Sequence, residues 1–224
     1  MSPVSPLKKP FPISAVLRAV EKSNRTARDT TLAQVAESRD PFRILVATIL
    51  SLRTKDETTA VASEKLFAIA DTPEAILRLR PRRLEKLIFP VGFYRAKAKT
   101  LREICRKLLD EFDGRVPADL ETLLEFRGVG RKTANLVVTL GYNLPGICVD
   151  IHVHRITNRW GYLRTKNPDS TELELRETLP RRHWIEINEH LVTFGQTICR
   201  PLSPHCTQCP VSKHCRRVGV GRFR

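Results

Sequence analysis

Leu123-Leu124-Glu125-Phe126-Arg127-Gly128-Val129-Gly130-Arg131-Lys132-Thr133-Ala134-Asn135 decides how this chain is read. An apolar helix ends, Gly-Val-Gly turns the backbone, and a second apolar helix begins at Arg131. Glycine accepts positive φ and lets a ligand approach without a Cβ clash, so Gly128 and Gly130 are both expected to use that freedom. Backbone amides around Val129 and Gly130 would then face outward at a helix N-terminus, which suits a phosphate. Arg131 and Lys132 add positive charge beside them. A plain helix–helix turn with a glycine C-cap also explains a lone Gly-x-Gly. Gly-Val-Gly-Arg-Lys in a strongly basic chain favours phosphate binding.

Outward from this turn the periodicity is helical almost throughout. Helices are expected from Pro41 to Leu52, Asp56 to Ala70, Pro73 onward with Thr72 as cap, Pro81 onward, and Tyr94 to Phe112. Further helices are expected from Pro117 to Arg127, Arg131 to Gly141, Asp150 to about Trp160, Thr171 to Leu179, and Trp184 to Cys199. No alternating strand stands out, so the fold class is all-α. The longest apolar run, Ile44 to Leu50, is interrupted by Thr48 and is too short to cross a bilayer. The N-terminal segment has no apolar h-region before Pro10, which argues against a signal peptide. Residues 1–10 carry three prolines and are expected to be disordered.

The chain has 39 Lys and Arg against 24 Asp and Glu, a net charge of +15 over 224 residues. Such a balance is that of a nucleic-acid-binding protein, with a chain made basic for solubility, or a ribosome-associated domain, as the plain alternative. The basic residues cluster in Arg78–Lys86, Arg95–Lys107, Arg155–Lys166 and Lys213–Arg224, which suggests a surface assembled from several elements. Cys199, Cys206, Cys209 and Cys215 run C-x6-C-x2-C-x5-C. Structural zinc usually shows two close cysteine pairs separated by a longer insert. One close pair flanked by wider-spaced cysteines favours a [4Fe–4S] cluster, with zinc as the alternative. Cys105 and Cys148 sit in apolar surroundings and read as small buried hydrophobes.

Three motifs in order carry a resemblance: Leu123–Asn135, then Val149-Asp150-Ile151-His152-Val153-His154-Arg155, then the four cysteines. Together they resemble the endonuclease III family, bifunctional DNA glycosylases of the helix-hairpin-helix superfamily. The match is collinear from about Pro41 to Cys215. The resemblance implies a two-lobed fold: a six-helix lobe over residues 34–143, and a discontinuous cluster lobe over residues 1–33 and 144–224. It implies a [4Fe–4S] cluster on the four cysteines and a monomer acting on double-stranded DNA with a damaged base, in a cytoplasmic, nucleoid-associated setting. The expected activity is removal of oxidised or ring-saturated pyrimidines, followed by nicking of the strand.

The resemblance also assigns roles. Lys132 is the nucleophile expected to attack C1′ of a flipped nucleotide. Asp150, placed to cap the next helix, gains a catalytic role as a carboxylate that accepts a proton or stabilises charge on the sugar. Phe93, in Val91-Gly92-Phe93-Tyr94, is the candidate wedge, with a core phenylalanine as the plain alternative. Arg53, in Ser51-Leu52-Arg53-Thr54-Lys55-Asp56, stands where the family has a Gln that plugs the gap beside the orphan base. Arg127 replaces the family's hairpin proline and is expected to add charge near the phosphate. Adenine-removing relatives carry a carboxylate where this chain has Thr48, and thymine-mismatch relatives lack the lysine that Lys132 supplies.

Overall fold

The computed structural model describes residues 10–24 and 39–224. Among these residues the secondary structure is entirely helical, with no strand. The expectation for the first nine residues lies outside them. Contacts divide the chain into two compact units, Arg28–Cys148 and Met1–Ala27 with Val149–Arg224. The first division falls outside the described residues. The second comes after Cys148, five residues beyond the expected 143. Leu144 N–H reaches Val138 O (3.1 Å) and Ile147 N–H reaches Asn135 Oδ1 (3.0 Å), tying that segment to the unit before it.

The unit of residues 28–148 is built on α2 (Pro41–Ser51), a helix apolar on nearly every side. Asp40 caps it, accepting from Phe42 N–H and Arg43 N–H, and Pro41 occupies the first turn. Ile44, Leu45, Val46, Ala47, Ile49 and Leu50 are all buried, as a helix without a polar face must be. Around it lie α3 (Asp56–Phe67), α4 (Pro73–Arg78), α5 (Pro81–Ile88), α6 (Tyr94–Phe112), α7 (Leu120–Leu124) and α8 (Arg131–Leu136). Seven helices are described here, not six. Pro81 ends α4 by constraining Arg80 and opens α5 with its own fixed φ. α7 starts at Asp119, whose carboxylate accepts from Thr122 N–H (2.8 Å), and not at Pro117. α8 widens into a π-helical turn over Val137–Gly141. There Thr139 Oγ1 donates to Asn135 O (2.8 Å), competing with the backbone for that carbonyl.

The other unit holds α1 (Ile13–Asn24), α9 (Ile151–Trp160), α10 (Pro168–Thr178), a 3-10 turn (Arg181–His183) and α11 (Ile187–Thr197). α1 turns Val16, Leu17 and Val20 inward and packs against α11. Trp160 is almost fully buried between Phe11 and Phe194. α10 begins three residues before the expected Thr171 because Asn167 and Ser170 form a reciprocal capping box. Trp184 precedes α11 without joining it; its indole N–H donates to Leu179 O (2.8 Å).

Candidate nucleic-acid interface and cysteine centre

The Gly-Val-Gly turn joins α7 to α8 as expected, but its parts differ from one another. Gly128 has φ +80°, and a Cβ there would stand 3.0 Å from Thr100 Cγ2 on α6. Gly130 has φ −96°, extended backbone open to any residue, and serves as the N-cap of α8. What Gly130 contributes is space, since no atom lies within 4 Å of where its Cβ would be. The Val129 amide does not face outward: it donates to Phe126 O (3.0 Å), and the side chain is buried. Gly130 N–H has no protein acceptor among the described residues. Arg131 and Lys132 are half-buried on the first turn of α8. Lys132 forms no hydrogen bond or ion pair among the described residues, which leaves its amine available. Arg127 does not enrich the turn with free charge. Its guanidinium meets both Glu103 oxygens at 3.1 Å.

Arg53 and Phe93 come together. Arg53 lies over the Phe93 ring, 5.8 Å from its centroid. Both residues have left-handed backbone, φ 53° and φ 58°. Phe93 is 66 % exposed, so the core alternative fails. Thr48 is buried and donates from Oγ1 to Ile44 O (2.7 Å), a local helix bond.

Asp150 belongs to the unit that continues from Val149. It caps α9: Oδ1 accepts from His152 N–H (2.8 Å) and Val153 N–H (3.0 Å). Oδ2 accepts nothing among the described residues, and the side chain is half-exposed. The carboxylate is therefore fixed through one oxygen and free at the other.

Cys199, Cys206, Cys209 and Cys215 all line one cavity with Trp160, Ile198, Pro204 and Val220. No group of three or more His, Cys, Asp or Glu side chains among the described residues forms a ready-made metal site. The donor set nonetheless fits a thiolate-ligated group. Arg159 Nη1 approaches Cys199 Sγ at 3.7 Å, and Arg217 N–H approaches Cys215 Sγ at 3.3 Å. Such donors suit sulfur that carries negative charge. Burial pushes the Cys209 thiol up to about 11 and raises Cys206 and Cys215 as well. Metal ligation takes thiolates, so it must release these protons.

Three residues at these sites escaped the sequence reading. Arg155 and Arg159, expected on a basic surface, turn toward the cysteine loop. Arg155 Nη2 donates to Cys199 O (2.9 Å) and Gly195 O (3.3 Å), and burial lowers its pKa. Arg159 donates to Arg200 O and Pro201 O, each at 2.6 Å. Their spacing of four residues, one face of α9, was the available signal. The third is Lys97, which is 8 % exposed on the first turn of α6.

Residues 46–181 match the model of the HhH-GPD superfamily base excision DNA repair protein. The chain belongs to this superfamily. It is a base excision DNA repair enzyme related to endonuclease III. Endonuclease III of Thermotoga maritima is 47 % identical over 188 residues, covering 83 % of this chain and 88 % of the relative. Among solved structures, a trapped endonuclease III–DNA covalent intermediate is 31 % identical with a TM-score of 0.81, covering 92 % of this chain and 94 % of that one. A thermostable thymine-DNA glycosylase is 28 % identical with a TM-score of 0.82, covering 91 % and 95 %. The four cysteines lie beyond the segment that the superfamily model matches. No described helix is long and apolar enough to cross a membrane.

Proposed function

We propose that this enzyme is a bifunctional DNA glycosylase and abasic-site lyase acting on oxidised or ring-saturated pyrimidines in duplex DNA. One observation carries the reading: Lys132 presents an unpaired amine on the first turn of α8, two residues after the open Gly130. The lysine amine attacks C1′ of a flipped nucleotide, and the C1′–N bond to the base breaks. Loss of a proton from nitrogen and opening of the sugar ring leave an imine. The imine acidifies the C2′ proton. Its removal drives β-elimination, which breaks the C3′–O bond and releases the 3′ strand. A water nucleophile would stop at base removal.

Asp150 is the second catalytic residue in this proposal. Its Oδ2 takes protons or faces developing positive charge, while Oδ1 stays committed to the helix cap. The Gly130 amide and Arg131 hold phosphate, and Gly128 shapes the turn that presents them. Cys199, Cys206, Cys209 and Cys215 would hold a [4Fe–4S] cluster, with Arg159 and the Arg217 amide beside the sulfurs. When bound, the cluster supplies iron–thiolate bonds that pin the loop from Cys199 to Cys215. The protein works as a monomer on cytoplasmic, nucleoid DNA in this reading. The thymine-mismatch alternative is weakened by Lys132, where such relatives have an inert residue.

Borohydride trapping tests the proposal. Wild type should crosslink to duplex DNA carrying a ring-saturated pyrimidine, and Lys132→Ala should not. Equal trapping by both proteins sinks the nucleophile assignment. Absence of trapping by wild type, with tight DNA binding retained, would instead support a non-catalytic binder.

A further inference from the structure

Two turns 38 residues apart in sequence are stitched together by one buried lysine. Lys97 sits on the first turn of α6, and its Nζ is surrounded by oxygen. It donates to Leu50 O (2.8 Å), Leu52 O (2.5 Å) and Thr54 Oγ1 (3.1 Å). Leu50 and Leu52 belong to the C-terminal end of α2, whose last carbonyls have no partner within the helix. An ammonium there satisfies them and complements the negative end of the helix dipole. Thr54 Oγ1 also accepts from Gly92 N–H (3.1 Å). A Cβ on Gly92 would stand 2.7 Å from Arg53 O, so the two turns are in backbone contact.

Arg53 and Phe93 project from this junction. A bulky residue held in left-handed backbone persists only where its surroundings over-determine it. Here both do so, one in each turn, and the Arg53 guanidinium lies over the Phe93 ring. Lys97 is the common tie behind them. No carboxylate approaches its Nζ among the described residues, so its partners are backbone carbonyls and a hydroxyl alone. Burial lowers its pKa to about 8.

We propose that Lys97 is a positioning residue for lesion recognition. Its ammonium locks Leu50–Thr54 to Gly92–Phe93, so that Arg53 and Phe93 enter the DNA stack as one preformed unit. Opposite-base preference then belongs to the pair and to the lysine that sets it. This inference rests on reading Arg53 and Phe93 as inserting residues.

The test compares borohydride trapping on an abasic site in duplex DNA and in single-stranded DNA, where there is no stack to fill. Lys97→Met keeps the apolar stem and removes the donors. It should lower the duplex rate about tenfold, the scale of losing hydrogen bonds to a charged group, while the single-strand rate stays near wild type. Phe93→Ala should show the same split, and the Lys97→Met/Phe93→Ala double variant should be no worse than either single. Should Lys97→Met fail to fold by circular dichroism, Thr54→Val decides. It cuts one Lys97 bond and the Gly92 bond, and should give a smaller split of the same kind. A split for Phe93→Ala with none for the lysine or threonine variants overturns the Lys97 inference alone. No split for Phe93→Ala and Arg53→Ala overturns the insertion reading beneath it. Equal loss on both substrates makes Lys97 merely structural and also overturns the inference.

Discussion

Adding one methyl group at Gly195 tests whether the packing of α9 on α11 controls the cysteine loop. A Cβ at Gly195 would lie 2.3 Å from His152 Nδ1, 3.0 Å from His152 Cγ and 2.9 Å from Arg155 Nη2. Ordinary contact distances are about 3.5 Å or more, so the ring must move about 1.2 Å and the guanidinium about 0.6 Å. Overpacking of this kind costs about 1–3 kcal/mol. Moving Arg155 also weakens its bonds to Gly195 O and Cys199 O, each worth about 1.5–3 kcal/mol when intact. Against this, alanine gains about 1 kcal/mol over glycine within a helix. With half of one charged bond lost, Gly195→Ala should destabilise its unit by about 2 kcal/mol. Urea unfolding followed by circular dichroism reads this directly, and the melting temperature should fall by about 4–8 °C. His152→Ala in the same chain removes the ring and should recover about 1 kcal/mol as a coupling energy. A Gly195→Ala protein at least as stable as wild type refutes the close packing. A double variant that loses the sum of both single effects shows that the ring is not the obstacle.

Gly128→Ala must adopt left-handed backbone beside Thr100, so its melting curve should show a loss of about 2 kcal/mol; an unchanged midpoint would contradict the positive φ. Asn135→Leu leaves the Ile147 amide without its acceptor and should cost about 1–3 kcal/mol, measured by denaturant unfolding. The buried Cys105 thiol is held up to about 12 by desolvation. Above its unfolded value of 9.0 the unfolded chain sheds a proton that the folded chain keeps, so stability contributed by this thiol is complete below pH 9.0 and declines toward pH 12. The limiting slope is about 1.4 kcal/mol per pH unit, and Cys105→Val should lack it in pH-dependent melts. Cys206→Ser should lose iron and labile sulfide on analysis and bind DNA more weakly; full-rate nicking of abasic DNA by a protein without a cluster would show the cysteine loop to be dispensable.

Several helix starts were legible from a cap or a proline, though Asn167-Pro168 was passed over in favour of Thr171. Pro41 starts its helix as expected, Thr72 and Asp150 cap helices at the expected residues, and Tyr94–Phe112 has the expected ends. Pro117 misled because the Asp119 carboxylate offers a stronger start two residues later. The π-helical turn after Leu136 was hidden, since an apolar face does not record a local change from i+4 to i+5 bonding. At the hairpin, residue types marked the turn but not its dihedrals: two glycines read alike, and only Gly128 has positive φ. Arg53 and Phe93 were singled out separately, while their contact depends on turns distant in sequence. Lys97, Arg155 and Arg159 were missed for a shared reason. Arginine and lysine in a basic chain read as solvated charge, yet each of these caps backbone carbonyls of a neighbouring loop or helix end.

The Arg127–Glu103 pair bears on how DNA binding responds to ionic strength. Affinity falls with salt in proportion to the number of phosphates that protein cations neutralise, because each such contact releases condensed counterions. A phosphate that recruited Arg127 would have to sit beside the Glu103 carboxylate, which already meets the guanidinium through both oxygens. The pair therefore presents a dipole to the backbone and adds no exchangeable cation. Lys107, held between Glu111 and Glu125, is withdrawn in the same way. The formal charge of +15 measures attraction at long range, whereas the steepness of salt dependence reports only those cations that no carboxylate already holds.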